Sequence, residues 1–201
     1  MRLLDRVLQN WRACVARPWI PTGARVLDIG CHQGEFLRSL RGRIGPSIGL
    51  DPLARPEMTD GYCLVAEGFR EPVPFSDGSF DAIVMLATLE HIRDKEPLGR
   101  ECFRLLRPGG RVIITVPSTA VDHLVDWLCR LGLADGMSLD EHHGYDPRTT
   151  PEVFGRHGFV LERWRRFQLG LNHLFVLRKP LAGADLEEAA VPALRGGLAH
   201  V

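Results

Sequence analysis

The chain has 201 residues, 45% of them hydrophobic, and its 25 lysines and arginines are balanced by 25 aspartates and glutamates. A chain of this size and composition can bury one α/β core but not two full domains. Because the formal net charge is zero, no global field favours nucleic acid or an anionic membrane as a partner.

The cysteine and hydropathy patterns exclude further classes of protein. The five cysteines are far apart, with no C-x-x-C pair and no Cys/His run at zinc spacing, so we expect reduced thiols and no metal site. No segment approaches the roughly 18 consecutive apolar residues of a membrane span, and the N-terminus lacks a signal peptide. These patterns predict a cytoplasmic protein.

The N-terminal segment is predicted to be an amphipathic helix. Its apolar residues recur at helical spacing, and the helix should stop before Arg17-Pro18, because a residue that precedes proline avoids the α region. The apolar positions are Leu4, Val7, Leu8, Trp11 and Val15.

A strand, a glycine turn and a helix are predicted next. The apolar run that starts at Val26 has the length of a buried strand, and Gly30 and Gly34 allow a sharp turn into a helix beginning near Gly34. We expect this turn to gather unpaired backbone N–H groups at one point. Asp28 adds a fixed negative charge beside that point, which favours a cationic ligand over a pyrophosphate.

A short second strand, residues 46–50, delivers Asp51, which lies fewer than 20 residues after Gly34. This is close to the position of a ribose-binding carboxylate in a βαβ unit, and it argues against a 2′-phosphorylated cofactor. The crossover over residues 53–61 has Pro52 just before it and Pro56 within it, so we expect an abbreviated helix there.

The remaining elements follow in regular alternation. Strands are predicted over residues 62–66, 80–86 and 111–116. A helix is predicted from the apolar face formed by Leu98, Cys102, Leu105 and Leu106, and Arg107-Pro108-Gly109-Gly110 closes it.

A lid is predicted after the fifth strand, over residues 119–148, and consists of a helix from Thr119 and a polar loop. A short helix near 151–156 and two closing strands, 158–167 and 171–178, with a tight turn near Gly170, complete a domain over residues 1–180. The tail, residues 181–201, is predicted to be poorly ordered.

Taken together, these motifs resemble the class I S-adenosylmethionine-dependent methyltransferases, in particular the type 11 group. The resemblance is strong over about residues 20–120 and weak to about residue 180. It implies a single doubly wound, Rossmann-like α/β sheet of about seven strands with an antiparallel last strand, helices on both faces and a small helical lid. The stretches that carry it are Arg25–Leu37, Gly49–Pro52, Pro74–Asp81, Leu89–Ile92 and Leu105–Arg111.

The resemblance also implies S-adenosylmethionine as cofactor, S-adenosylhomocysteine as product and no metal. His32 departs from the group, which usually has a second glycine there, and should be tolerated if its φ is negative. The acidic residue that usually accepts from the adenine amino group is missing, so Phe69 could stack on the ring or belong to the core, and Glu67 or Glu71 could supply the acceptor. The predicted cofactor-binding residues are Asp28, Gly30, Cys31, His32, Gly34, Phe36, Asp51, Pro52, Phe69, Arg70 and Leu86.

The acceptor is predicted to be a small molecule, with a hydroxyl of a metabolite, lipid-linked or sugar-containing intermediate favoured because histidines are available as bases. His91 and His143 are the candidate catalytic residues, although His142-His143 could equally be an ordinary surface pair. Arg163-Trp164-Arg165-Arg166-Phe167 could contact a phosphate-bearing acceptor or nucleic acid, and the solvated face of a strand is the favoured interpretation. The alternatives are an RNA- or protein-directed methyltransferase and a non-catalytic, cofactor-binding partner subunit.

Overall fold

The computed structural model of the chain describes residues 3–118 and 145–181. Four α-helices and eight β-strands lie in these residues. The helices are α1 (Leu3–Ala16), α2 (Glu35–Ser39), α3 (Lys95–Leu105) and α4 (Thr150–Gly155). The strands are β1 (Val26–Ile29), β2 (Ser47–Leu50), β3 (Glu57–Met58), β4 (Tyr62–Val65), β5 (Phe80–Leu86), β6 (Leu106–Pro117), β7 (Val160–Phe167) and β8 (Asn172–Arg178). Most of the predicted lid, including His142 and His143, and the tail beyond Leu181 lie outside the described residues.

The strands form one sheet in the order β3-β4-β2-β1-β5-β6-β8-β7. Strands β4, β2, β1, β5 and β6 are parallel, and β8 runs antiparallel to both β6 and β7. The predicted Rossmann-like fold is thereby confirmed. Because β2 lies on one side of β1 and β5 on the other, the crevice outside the carboxyl ends of β1 and β5 is where ligands bind in such sheets.

Two hydrophobic clusters cover the two faces of the sheet. Neighbouring residues of one strand point to opposite faces, so Val26 belongs to one cluster and Leu27 to the other. Helices α1 and α2 close one face through residues such as Val15 and Phe36, and α3 and α4 close the other. The prediction of helices on both faces is confirmed.

Local signals explain where the helices begin and end. Helix α1 ends at Ala16, before Arg17-Pro18, as predicted. The side chain of Asp94 caps α3 by accepting from the backbone N–H of Glu96 at 3.1 Å. None of the helices in the described part of the chain is long and apolar enough to cross a bilayer.

The structure differs from the predictions in two elements. In place of an abbreviated helix, the crossover over residues 53–61 contains the two-residue strand β3, which pairs antiparallel with β4. Strand β6 begins at Leu106, five residues before the predicted start, because Leu106 pairs with Phe80 before the register shifts at Ala82. A two-residue strand has no periodicity that a sequence can display, and the Pro-Gly-Gly pattern reads as a break even where pairing continues across it.

Candidate cofactor cleft

A cavity of about 240 Å³ opens at the carboxyl ends of β1 and β5. Helix α1 covers one side of it with Gln9, Asn10, Arg12 and Ala13. Four of the predicted cofactor-binding residues line the cavity, namely Asp28, Gly30, Phe36 and Leu86.

The carboxylate of Asp28 gives this cavity its electrostatic character. The residue is only 2% exposed, and its Oδ2 atom has no hydrogen-bond partner in the described structure. Burial, and to a lesser extent the negative charges of Asp51 and Glu35, raise the pKa of Asp28 to about 8. A buried acceptor without a donor is costly, so a cation or a donor placed in the cavity would stabilise the ionised form.

The backbone N–H groups of the turn after β1 already donate to acceptors within the protein. The N–H groups of Gly30 and Cys31 donate to the carbonyl of Leu50, at 2.8 and 3.3 Å, and the N–H of Gly34 donates to Cys31 at 2.8 Å. The N–H of His32 donates to Asp51 at 2.9 Å, and that of Gln33 donates to Glu35 at 3.1 Å. The N–H groups of residues 30–34 are therefore all paired, and the expectation of unpaired N–H groups is wrong for this turn, because carbonyl and carboxylate groups fold back onto it.

His32 occupies the position where the resembled group has glycine, and its φ is +49°. The condition under which we expected this histidine to be tolerated, a negative φ, is therefore not met. Histidine is among the residues that tolerate the left-handed region best, at a cost of about 1 kcal/mol. Its Nδ1 atom lies 3.1 Å from Oε1 of Glu35, and its N–H holds Asp51, so the turn keeps the shape that a glycine would give it.

Asp51 is tied to the backbone through both carboxylate oxygens. Oδ2 accepts from His32 at 2.9 Å, and Oδ1 accepts from the N–H of Leu53 at 2.7 Å. A carboxylate oxygen has two acceptor sites, so each oxygen retains one for a further donor such as a ribose hydroxyl. The fixed orientation of Asp51 fits the predicted ribose role.

Cys31 and Gly34, both predicted cofactor residues, pack beneath the turn. Gly34 is the left-handed N-cap of α2, with φ +76°, and a Cβ there would come within 2.7 Å of Leu64. A Cβ on Gly49 would likewise meet the Cys31 sulfur at 2.7 Å. These residues shape the turn through packing against the neighbouring strands.

The loop after β4 is the predicted adenine side of the cleft. Phe69 is half-buried and packs against the hydrophobic core, while Arg70 is exposed. Glu71 accepts from Arg100 Nε and Nη2 at 2.9 and 3.1 Å, so its carboxylate is engaged with α3. A Cβ on Gly68 would lie 3.3 Å from Pro52, which shows how closely this loop approaches the one carrying Asp51. Both acids considered for adenine are exposed, and Glu71 is the one that Arg100 engages.

The loop after β5 forms a short 3-10 helix, Leu89–His91. His91, a predicted catalytic residue, is exposed, whereas the neighbouring Glu90 is only 3% exposed. Burial raises the pKa of Glu90, and the charges of His91, Arg12 and Lys95 act in the opposite direction. Sequence reasoning missed Glu90 and Arg12 as site residues. For Glu90, the available signal was an acid four residues after the end of a buried strand.

Tyr145, predicted to belong to the lid, packs on the body of the domain. Its hydroxyl lies 2.8 Å from Thr150 Oγ1, and Lys95 Nζ lies 4.4 Å from the centre of its ring. Pro147–Thr149 then form a 3-10 turn that leads into α4. The last residues of the predicted lid, 145–148, are therefore anchored to α3 and α4.

Comparison with known proteins identifies relatives of this architecture. The chain is 33% identical over 105 residues to a ubiquinone biosynthesis O-methyltransferase of Pseudomonas aeruginosa, an alignment that covers 46% of this chain and 44% of the relative. It is 36% identical over 118 residues to a demethylmenaquinone methyltransferase of Roseiflexus, covering 54% and 48% of the two chains. The aligned part thus spans about half the length of each relative.

Structural comparison supports the same fold. An S-adenosylmethionine-dependent methyltransferase from Mesorhizobium loti superimposes with a TM-score of 0.63 at 21% identity, over 83% of this chain and 96% of the other. At this identity, the likeness concerns the fold alone. A family model described as a methyltransferase domain matches residues 2–163. Since that match spans most of the sequence, this chain belongs to the family of S-adenosylmethionine-dependent methyltransferases.

Proposed function

We propose that the chain binds S-adenosylmethionine in the cavity at the carboxyl ends of β1 and β5 and transfers its methyl group to a small-molecule acceptor. The observation that carries this proposal is the acceptor-rich cleft, by which we mean the cavity lined by Asp28 together with the adjoining end of β2, where Asp51 lies outside the cavity wall. Asp28 lacks a donor for Oδ2, Asp51 has acceptor sites left, and the N–H groups of the turn are already paired. Such a site suits a cation with hydroxyl donors better than it suits the pyrophosphate of a dinucleotide.

The bound cofactor would supply a methyl group activated on a sulfonium. The protein therefore has to hold the acceptor in line with that methyl group and to exclude water. Asp28 would offset positive charge, and Asp51 would orient the ribose. Phe36 and Leu86 supply apolar walls, and α1 covers the cavity and limits the access of water.

An oxygen acceptor is the favoured substrate, a hydroxyl of a metabolite, lipid-linked or sugar-containing intermediate. The name of the Pseudomonas relative, an O-methyltransferase of ubiquinone biosynthesis, supports a hydroxyl on a small molecule. His91 lies in the loop after β5, four residues beyond Ala87 of the cavity wall, and we assign its imidazole to take the proton of that hydroxyl. His143 stays the second candidate base.

Replacing Asp51 by alanine is expected to weaken S-adenosylhomocysteine binding by about 2 to 3 kcal/mol, because the ribose loses two charge-assisted hydrogen bonds. Titration calorimetry would measure the change. Asp60→Ala is the matched control, since this exposed acid precedes β4 and its loss changes the net charge equally. Equal affinities for wild type and Asp51→Ala, with both proteins folded, would contradict the ribose assignment.

A further inference from the structure

A second pocket lies at the same edge of the sheet, away from the cofactor cleft. It has a volume of about 190 Å³, and the side chains that give it its chemistry are Ser118, Arg148, Arg166 and His173. We call these four residues the basic pocket. Asp146, Pro147 and Gly170 complete its wall.

The topology places the basic pocket two strands away from the end of β5. Ser118 directly follows β6, and the ends of β6, β8 and β7 meet where Pro117 pairs with Asn172 and Asn172 with Phe167. Strands β5, β6 and β8 are consecutive in the sheet. With neighbouring strands about 4.8 Å apart, His173 lies roughly 10 Å from the end of β5, which a small-molecule acceptor can span.

His173 is held as a neutral hydrogen-bond donor. The side-chain N–H of Trp164 donates to His173 Nδ1 at 3.0 Å. Because an indole N–H only donates, Nδ1 must be the unprotonated nitrogen, and the proton of the ring is on Nε2. The ring is 3% exposed and stacks against Trp164 and Phe175, with interplanar angles of 10° and 5°. Burial, followed by the charges of Arg166 and Arg148, lowers the pKa of His173.

The other side-chain donors of the basic pocket have no acceptor among residues 3–118 and 145–181. Ser118 Oγ is buried without a hydrogen-bond partner, and neither Arg148 nor Arg166 has an ion pair with an acid among the described residues. Asp146 is the one acid of the wall, and its Oδ1 already accepts from the backbone N–H of Arg148 at 2.9 Å. Two guanidinium groups against one carboxylate leave a net positive charge.

We propose that the basic pocket binds an anionic group, a carboxylate or a phosphate, carried by the methyl acceptor. The assignment to the acceptor rests on the proposed methyl transfer, whereas the anion chemistry rests on the pocket alone. Two guanidinium groups, a hydroxyl and an imidazole N–H together match the acceptor oxygens of such a group. Binding there would anchor the acceptor while its hydroxyl lies at the end of β5.

A titration tests the anion chemistry. Benzoate and inorganic phosphate are added separately while tryptophan fluorescence is followed, because Trp164 contacts His173; a Trp164→Phe variant identifies the signal of this indole. In the double variant Arg148→Gln, Arg166→Gln, the half-saturating concentration of the preferred anion is expected to rise at least tenfold. Arg165→Gln is the control, since its side chain lies on the opposite face of β7 and its loss removes one positive charge, against two in the double variant. The control is expected to stay within twofold of wild type.

A second measurement tests the link to the acceptor. Metabolite extract is incubated with labelled S-adenosylmethionine, and the labelled product is expected to bind an anion-exchange resin and to fall at least tenfold in the double variant, with unchanged S-adenosylhomocysteine affinity. A neutral product, no saturable response to either anion in wild type, or equal weakening in Arg165→Gln would overturn the inference. The proposed function fails separately, if wild type does not bind S-adenosylhomocysteine.

Discussion

A Gly30→Ala variant is expected to lose at least about 100-fold in affinity for S-adenosylmethionine, the size of effect that a displacement of about 1 Å in a binding site can cause. The φ of Gly30 is +76°, and a Cβ would come within 2.8 Å of Thr88 Cβ and closer still to the Oγ1 and Cγ2 atoms of Thr88. The new methyl group must therefore push the loop after β5 away from the turn after β1. Both loops border the cleft.

The same variant should lose about 3 kcal/mol in the free energy of unfolding, roughly 1 for the left-handed φ and 2 for overpacking. Gly42→Ala is the matched control, because its φ is +77° and a Cβ added there would meet nothing within 4 Å. The control should lose about 1 kcal/mol and keep its cofactor affinity. Urea denaturation measures the free energy of unfolding, and calorimetry measures the cofactor affinity. Wild-type affinity in Gly30→Ala would show that this turn is not part of the binding site.

The second large effect concerns Asp28 and pH. Because the pKa of Asp28 is raised to about 8, the free protein holds a proton there at pH 7. Binding of a cation favours the ionised carboxylate, so the affinity for S-adenosylmethionine should rise by up to about tenfold per unit between pH 6 and 8 and then level off. S-adenosylhomocysteine lacks the sulfonium charge and should show a weaker dependence. In Asp28→Asn, this dependence should disappear.

As pH rises, the free energy of unfolding of the cofactor-free protein should fall, whereas the cofactor affinity rises. A raised pKa means that the folded state keeps a proton that the unfolded state releases above the ordinary aspartate value of 3.8. The stability from this group is therefore fully present below about pH 4 and is lost as pH rises through about 8. Urea denaturation at pH 6 and pH 9 should show a fall in wild type that Asp28→Asn lacks. Parallel pH profiles in the two proteins would show that Asp28 does not hold this proton.

The parts of the fold that the sequence predicts best are those that local patterns determine. Strand β5 has the predicted bounds, Phe80–Leu86, because a strand buried on both faces reads as a continuous apolar run. Helix α1 ends where Pro18 requires it to end. Both features depend on neighbouring residues alone.

The details of the site depended on contacts between distant residues. That Asp51 would accept from the turn, and that Leu50 would receive two of its N–H groups, follows from the packing of β1 against β2. The sign of φ at His32 could have been anticipated from the glycine that usually stands there. Glu90 was missed because a glutamate in a loop is normally exposed, and here it is buried among cationic side chains.

If the acceptor-rich cleft holds S-adenosylmethionine for methyl transfer, labelled methyl groups should pass from the cofactor to a metabolite of a native extract. The most direct test follows this transfer by mass spectrometry, with wild type and Asp51→Ala compared at equal protein concentration. We expect a labelled small-molecule product with wild type and at least about tenfold less with Asp51→Ala at a cofactor concentration below half-saturation. Stoichiometric cofactor binding without any labelled product in the extract, or equal labelling by both proteins, would contradict this function for the cleft.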